Sequence, residues 1–168
     1  MKICICSSMA FYEKFTVIKK ELEEMGHFVM SPELEFERKG DDTSVGGFFD
    51  RNGGVEAFPA DHEVWKKKGK AITAHFRKID DSDCILVTNY EKKGVPNYIG
   101  GNTFLEMGYA YGIGKKIYIL NEMPATSLYK EEMLGMQPIC LNGNLNKIIS
   151  KPPNSETPQK SLKTPDHF

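Results

Sequence analysis

The fold is indicated most clearly by two neighbouring stretches, Cys84-Ile85-Leu86-Val87-Thr88 and Gly100-Gly101-Asn102-Thr103-Phe104-Leu105-Glu106-Met107-Gly108-Tyr109-Ala110-Tyr111-Gly112. The first is a continuous apolar run rich in β-branched residues, which is typical of a parallel strand covered on both faces. The second predicts a helix that opens on paired glycines and packs through Phe104, Met107 and Tyr111, with Gly108 and Gly112 allowing close approach to the sheet. A strand, a loop and a helix form the repeating unit of a parallel α/β sheet.

The same alternation is predicted along the rest of the chain. Further strands are expected at residues 2–6, 27–30, 116–120 and 138–141. Further helices are expected at residues 11–25, 61–80, 129–136 and 145–149. Because crossovers between parallel strands are almost always right-handed, residues 1–150 are predicted to form a three-layer, doubly wound α/β domain. The predicted class is flavodoxin-like or Rossmann-like, with about five parallel strands.

Two segments do not follow this alternation. Residues 33–60 are rich in glycine and polar residues without a sustained period, and an internal loop of that length is uncommon. Two interpretations stay open for it: a lid or dimer-contact loop that uses Phe48-Phe49 and Phe58, or an insertion without a role. Residues 151–168 combine four prolines with serine, threonine and lysine, so they are predicted to be a disordered tail.

The composition of the sequence indicates which kinds of molecule the protein is expected to bind. The chain has 168 residues, 27% of them charged, and a formal net charge of −1 with both signs interspersed. A nucleic-acid surface would need a basic stripe, so a small molecule is the expected partner. No apolar run approaches the ~20 residues of a membrane span. Met1-Lys2 leads directly into a strand without a secretory apolar region, so a cytoplasmic protein without membrane contact is expected.

The cysteines and histidines are not expected to bind a metal or to hold a cofactor. None of the four cysteines has C-x-x-C spacing, and the four histidines are too scattered to suggest zinc ligands. The thiols are therefore interpreted as buried and inert. A nucleophilic Cys6 at the end of the first strand is kept as a minor alternative. The residues concerned are Cys4, Cys6, Cys84, Cys140, His27, His62, His75 and His167.

A binding site is predicted at the carboxyl ends of the strands. In doubly wound sheets ligands bind there, at the point where the strand order reverses. Three segments should converge on that point: Ser7-Ser8, Asn89-Tyr90 and residues 100–106. Glycines let a ligand approach the backbone, and free N–H groups at a helix start can bind an anion or a sugar hydroxyl. The candidate binding residues are Ser7, Ser8, Asn89, Gly100, Gly101, Asn102 and Thr103.

Glu106 is the candidate catalytic residue. It falls about one turn inside the predicted helix, where the helix dipole should hold its carboxylate ionised. The sequence has no G-x-G-x-x-G, P-loop or G-x-S-x-G pattern. A carboxylate can attack the anomeric carbon of a sugar and hold it as a covalent ester. The alternative is a plain stabilising charge on the helix.

Several of these segments resemble the nucleoside 2-deoxyribosyltransferase family. The resemblance rests on Ile5-Cys6-Ser7-Ser8, Ile85-Leu86-Val87, residues 101–110 and Lys115-Lys116-Ile117. It implies a flavodoxin-like fold and cleavage of a deoxynucleoside N-glycosidic bond, with transfer of the sugar to another base or to water. It also implies Glu106 as the nucleophile and assembly into a homodimer or larger homo-oligomer. The chain departs from the family at Gly100 and Asn89, where members often carry acidic residues.

A second resemblance keeps two other functions open. Residues 100–106 are similar, with one residue missing, to the P-G-G-x-G-T-x-x-E signature of the phosphoribohydrolases that release bases from nucleoside monophosphates. That likeness implies that the glycines and Thr103 cradle a 5′-phosphate. The missing acidic residues at Gly100 and Asn89 would also suit a non-catalytic sensor of a nucleotide-derived ligand.

Overall fold

A five-stranded parallel sheet forms the centre of the protein in a computed structural model, which describes residues 1–33, 49 and 52–148. The strands are β1 (Lys2–Ser7), β2 (Phe28–Met30), β3 (Cys84–Thr88), β4 (Lys116–Ile119) and β5 (Ile139–Cys140). They lie in the order β2-β1-β3-β4-β5, and every neighbouring pair is parallel. This is the flavodoxin-like order, so the predicted fold class is confirmed.

Helices connect these strands. They are α1 (Tyr12–Glu24), α2 (Glu63–Asp80), α3 (Gly101–Gly112) and α4 (Lys130–Gly135). Short 3-10 turns occur at Met9–Phe11, Val55–Ala57 and Leu145–Lys147, so the helix predicted at residues 145–149 is a single turn. Within the described ranges, no helix combines the length and apolar character needed to span a membrane.

The sheet separates two apolar cores. On one face, Phe15 and Leu22 of α1 pack against Ile3 and Ile5 of β1. The core on the other face joins Cys4 and Cys6 of β1 to side chains of α2, α3 and α4, among them Ile79, Met107 and Met133. All five residues of β3 are buried, as expected for a strand covered on both faces. The helices therefore form the outer two layers of a three-layer domain.

Helix α3 packs on a different stripe from the predicted one. Its buried residues are Thr103, Met107 and Ala110, which follow the three- and four-residue spacing of one helix face. Tyr111, predicted to pack inside, is 56% exposed. The glycines do not provide close approach to the sheet either: a Cβ at Gly112 would meet no atom within 4 Å, and one at Gly108 would meet only the Met136 methyl at 4.0 Å.

The structure covers only part of the two irregular segments. Within the predicted loop of residues 33–60, it describes residues 33, 49 and 52–60, while Phe48 and the predicted tail at 151–168 lie outside the described residues. Phe49 stacks on Trp65 of α2 with ring centroids 5.5 Å apart, and Phe58 meets the same ring edge-on at 6.2 Å. The aromatic part of the loop thus packs on α2. Its role as a lid, a dimer contact or an insertion stays a prediction.

The central strand offers a direct test of this packing. Leu86 of β3 is 0% exposed, whereas Leu128 is 93% exposed. Leu86→Ala should lower the free energy of unfolding by ~2–5 kcal/mol because it leaves a cavity in the core. Leu128→Ala should change it by less than ~0.5 kcal/mol. Urea denaturation followed by circular dichroism measures both, and equal effects would contradict this arrangement of the sheet.

Candidate functional site

A cavity of about 550 Å³ opens at the carboxyl end of β1, between α2 and the start of α3. Its wall includes the Ser7-Ser8 segment, the α2 residues Lys68 and His75, and the α3 residue Glu106. The volume falls within the range of small-molecule sites. Since β1 and β3 are the strands at which the chain order reverses, the cavity lies at the expected topological switch point.

The structure brings most of the predicted site residues together. The predicted residues that line the cavity are Ser7, Ser8, Gly100, Gly101, Asn102, Thr103 and Glu106. Asn89 is not among them. It is 0% exposed, and its side-chain amide donates to the carbonyl of Glu122 at 2.8 Å while its oxygen accepts from the backbone N–H of Asn121 at 3.0 Å. The amide of Asn89 therefore joins the β3 and β4 ends, which corrects its assignment as a binding residue.

Ser7 and Ser8 both line the cavity and both form hydrogen bonds that hold the end of β1. The hydroxyl of Ser7 donates to the carbonyl of Thr88 at 3.2 Å, which links the ends of β1 and β3. The hydroxyl of Ser8 accepts from the backbone N–H of Ala10 at 3.4 Å and caps the following turn. Both serines also line the cavity, as predicted for binding residues.

Gly100 lies at a close approach to Tyr98 and not at a sharp bend. Its φ is −86°, which any residue can adopt, but a Cβ there would lie 3.1 Å from the Tyr98 ring. A Cβ at Gly101 would meet no atom within 4 Å. The amide of Phe104 donates to the Gly100 carbonyl at 2.9 Å, so the preceding N–H groups of α3 have no partner within the helix. These groups belong to residues that line the cavity, and they suit an anion or a hydroxyl.

Glu106 lies at the cavity wall with little contact to solvent, its side chain being 13% exposed. Its Oε1 lies 3.7 Å from His75 Nε2, and its Oε2 is buried without a hydrogen-bond partner in the part of the chain that the structure describes. Burial raises the pKa of Glu106 from its usual 4.5 to about 7, although the charge of His75 opposes this rise. The prediction that the helix dipole holds Glu106 ionised is therefore wrong, because loss of water outweighs the dipole.

Sequence reasoning missed His75, the neighbour of Glu106. His75 Nε2 lies 3.7 Å from Cys4 Sγ and 3.7 Å from Cys6 Sγ, and all three residues are buried. The expectation that the cysteines and histidines are too scattered to meet is therefore wrong for these three. A signal was present, because His75 shares a face of α2 with Ile72 and Ile79. The separation of about 70 positions between β1 and α2 concealed it.

The thiols differ in their chemistry. A hydrogen bond from Cys6, with help from His75 and against the effect of burial, lowers the pKa of Cys4 to about 6. Burial raises the pKa of Cys6 well above its usual value, which speaks against a nucleophilic Cys6. Burial likewise raises the pKa of Cys84 to about 12. Cys140 is only half-buried, so the description as buried and inert fits Cys84 best.

His75 gains basicity from the same neighbours. Burial lowers the pKa of His75, but its hydrogen bond to Cys4 and the charge of Glu106 more than offset that effect and raise the pKa above its usual value. A cationic imidazole beside Glu106 favours the ionised carboxylate. The site thus holds an acid and a base whose protonation states depend on each other.

Two solved structures are similar to this chain at low sequence identity. No protein-family model and no curated protein matches the chain. A solved 2-deoxyribosyltransferase from Bacillus psychrosaccharolyticus is similar at 16% identity and a TM-score of 0.45, over 71% of each chain. A CMP N-glycosidase, BcmB, from Clostridium botulinum is similar at 14% identity and a TM-score of 0.45, over 84% of this chain and 90% of that one. Similarity of this degree assigns neither a substrate nor a catalytic residue to the present chain.

The raised pKa of Glu106 predicts a specific pH dependence of stability. The protonated carboxyl suits the buried site, so its contribution is complete below pH ~4.5 and is lost as pH rises through about 7. Glu106→Gln removes this titration and should therefore gain stability relative to the wild type between pH 5 and 8. Over this pH range, the difference in the free energy of unfolding between the two proteins should change by ~2.5 kcal/mol. Urea denaturation of both proteins across this range measures it.

The control is Glu131→Gln, which alters an exposed carboxylate in the first turn of α4. Its stability relative to the wild type should stay constant over the same pH range. If the Glu106→Gln difference is equally flat, Glu106 is not desolvated in the folded protein.

Proposed function

We propose that the protein cleaves the N-glycosidic bond of a nucleoside or deoxynucleoside through Glu106 and transfers the sugar to another base or to water. The observation that carries the proposal is the position of Glu106 on a cavity of small-molecule size whose wall combines apolar side chains with the hydroxyls of Ser7 and Ser8 and the N-terminus of α3. Glu33 also lines the cavity, but Lys78 binds it at 2.7 Å. Glu106 is therefore the better candidate nucleophile.

The reaction would proceed by displacement at the anomeric carbon. An oxygen of ionised Glu106 forms a bond to C1′ while the C1′–N bond breaks, and the bond electrons leave with the base, which takes up a proton. A second base or water then attacks C1′ and releases the carboxylate. The transition state resembles an oxocarbenium ion, which a negative charge in a site of low polarity stabilises strongly.

The environment of Glu106 supports this role. A carboxyl with a pKa of about 7 is ionised in a substantial fraction of molecules near neutral pH, and His75 at 3.7 Å increases that fraction when it is protonated. Burial leaves the ionised oxygen poorly solvated, which strengthens its interaction with a developing positive charge. The resemblance of residues 101–110 to the deoxyribosyltransferase segment supports the same assignment.

One observation favours a second candidate, the cleavage of nucleoside 5′-monophosphates. Three lysines, Lys68, Lys78 and Lys92, line the cavity together with the N-terminus of α3. The first turn of α3 contains no acidic residue, so nothing within it competes with an anion. Because Lys78 is paired with Glu33, a 5′-phosphate would be bound by Lys68 and the N–H groups at the start of α3, in line with the resemblance of residues 100–106 to the phosphoribohydrolase signature.

The catalytic assignment is tested by base release. The wild-type protein is incubated with deoxynucleosides and with nucleoside monophosphates, with and without a second free base, and products are separated chromatographically. Glu106→Gln should lower the rate of turnover at least ~100-fold because it removes the charge at the reacting carbon. Glu131→Gln, which alters an exposed carboxylate, should keep the full rate.

The outcomes separate the candidates. Exchange of bases supports a transferase, release from monophosphates alone supports the second candidate, and tight binding without turnover supports a sensor. Full activity in folded Glu106→Gln would eliminate the mechanism.

Two neighbouring lysines of α2 allow a matched test of whether the cavity binds a 5′-phosphate. Lys68 lines the cavity, whereas its neighbour Lys67 is exposed and does not. If a 5′-phosphate is bound, Lys68→Ala should raise KM for the monophosphate roughly 10-fold, because a charge-assisted hydrogen bond contributes about 1.5–3 kcal/mol. KM for the corresponding nucleoside should stay the same, and Lys67→Ala should change neither. An equal rise of both KM values in Lys68→Ala would show that the lysine does not act through phosphate.

A further inference from the structure

A cluster of metal-ligand side chains lies beside Glu106. Cys4 and Cys6 are two residues apart on β1, so both side chains leave the same face of the strand. His75 reaches them from α2. The two sulfur atoms and a ring nitrogen of His75 lie within 4.8 Å of one another, and all three residues are buried. Three ligand atoms of the kind that bind soft or borderline metals thus lie together in the core.

The two nitrogen–sulfur distances of the cluster fit a tetrahedral ion. Metal–ligand bonds of about 2.3 Å to sulfur and about 2.0–2.1 Å to nitrogen place the ligand atoms ~3.5–3.8 Å apart at tetrahedral angles. The observed separation between His75 Nε2 and Sγ is 3.7 Å for Cys4 and 3.7 Å for Cys6. Coordination therefore requires little movement of either sulfur relative to the imidazole.

A second, independent feature is the buried carboxylate of Glu106. Its Oε2 lacks a hydrogen-bond partner among the described residues, which is costly for a group removed from water. Its Oε1 lies 3.7 Å from the same His75 nitrogen, a few tenths of an ångström beyond the ~3.4 Å expected between nitrogen and oxygen ligands of one tetrahedral ion. An ion among the sulfur and nitrogen atoms would give this carboxylate a partner.

We propose that Cys4, Cys6 and His75 bind one zinc-type divalent ion and that the Glu106 carboxylate shifts towards the two sulfur atoms to take the fourth position. Two thiolates favour zinc over magnesium or calcium, which prefer oxygen ligands. Binding releases the thiol protons to solvent and changes no oxidation state. His75 and Glu106 line the cavity, so the ion enters from it.

The site uses Glu106 in a way that excludes its use on a sugar. An oxygen bound to the ion loses much of its negative charge to the bond and cannot attack C1′ at the same time. The metal-loaded protein should therefore lack the proposed glycosidase activity, and the metal-free protein should have it. The existence of the metal site does not depend on that activity.

The experiment uses the reduced, tag-free full chain after removal of metal with a chelator, and the probe is Co²⁺. One equivalent should produce the near-ultraviolet thiolate-to-cobalt absorption and the visible bands of a tetrahedral site, and Zn²⁺ should abolish both. Cys4→Ala and Cys6→Ala should each weaken Co²⁺ binding at least 10-fold. Cys140→Ser, which alters a half-buried cysteine outside the cluster, should leave the spectrum unchanged.

The wild-type spectrum decides the proposal even if a variant fails to fold. Absence of thiolate-to-cobalt absorption at excess Co²⁺ would overturn it, as would an unchanged spectrum in folded Cys4→Ala or Cys6→Ala. A Glu106→Gln protein should bind Co²⁺ more weakly through the three remaining ligands, and equal affinity would remove Glu106 from the ligand set.

Base release is then measured on the metal-free and zinc-loaded forms separately. Cobalt absorption without base release in either form would disprove the proposed function and leave the metal site standing. Base release without cobalt absorption would disprove the metal site and leave the proposed function standing.

Discussion

The alternation of side chains along β1 is the constraint on which the other features depend. Ile3 and Ile5 face the core under α1, whereas Cys4 and Cys6 face the core under α2 and α3. A strand at the centre of the sheet has to supply side chains to both faces. The small thiols leave room for polar atoms from α2 and α3, so His75 and Glu106 can enter a region that larger apolar residues would fill. The polar site exists because one strand has two small side chains on one face.

Burial of Glu106 then determines its chemistry. A carboxylate near a helix start on the surface is stabilised by the dipole, but Glu106 lies one turn further along α3 and has lost most of its water. Desolvation outweighs both the dipole and the nearby imidazole, so its pKa rises to about 7. The consequence is a group that responds to small changes in its surroundings. A protonated His75, which lies 3.7 Å away, or any other nearby positive charge would favour ionisation.

The sequence predicted the architecture well because its signals are local. The apolar run at 84–88 and the helical spacing in 101–112 each report an element within a few residues, and right-handed crossovers limit how such elements assemble. The convergence of Ser7, Gly101 and Glu106 followed from the same rule, since strand ends meet at one edge of the sheet.

The predictions that differ from the structure concern contacts between segments that are distant in the sequence. Whether Asn89 faces a ligand or the adjacent loop, and whether His75 meets Cys4, depends on packing that no local pattern records. The ionisation of Glu106 belongs to the same group of errors, because it depends on how much water the assembled core excludes.

Gly100 and Asn89 both lie close to neighbouring groups. A Cβ at position 100 would lie 3.1 Å from the Tyr98 ring, and the Asn89 amide is already bonded to the segment that follows β4. Of the two carboxylates in the cavity wall among described residues, Glu33 is paired with Lys78.

The cavity wall carries charges of both signs. Lys68 lines the cavity together with Glu106 and the first residues of α3, and the start of that helix adds positive potential. Glu106, when ionised, adds a negative charge to the same wall. Because charges interact more strongly where water is excluded, the charged groups of a ligand would decide how it is oriented in this cavity.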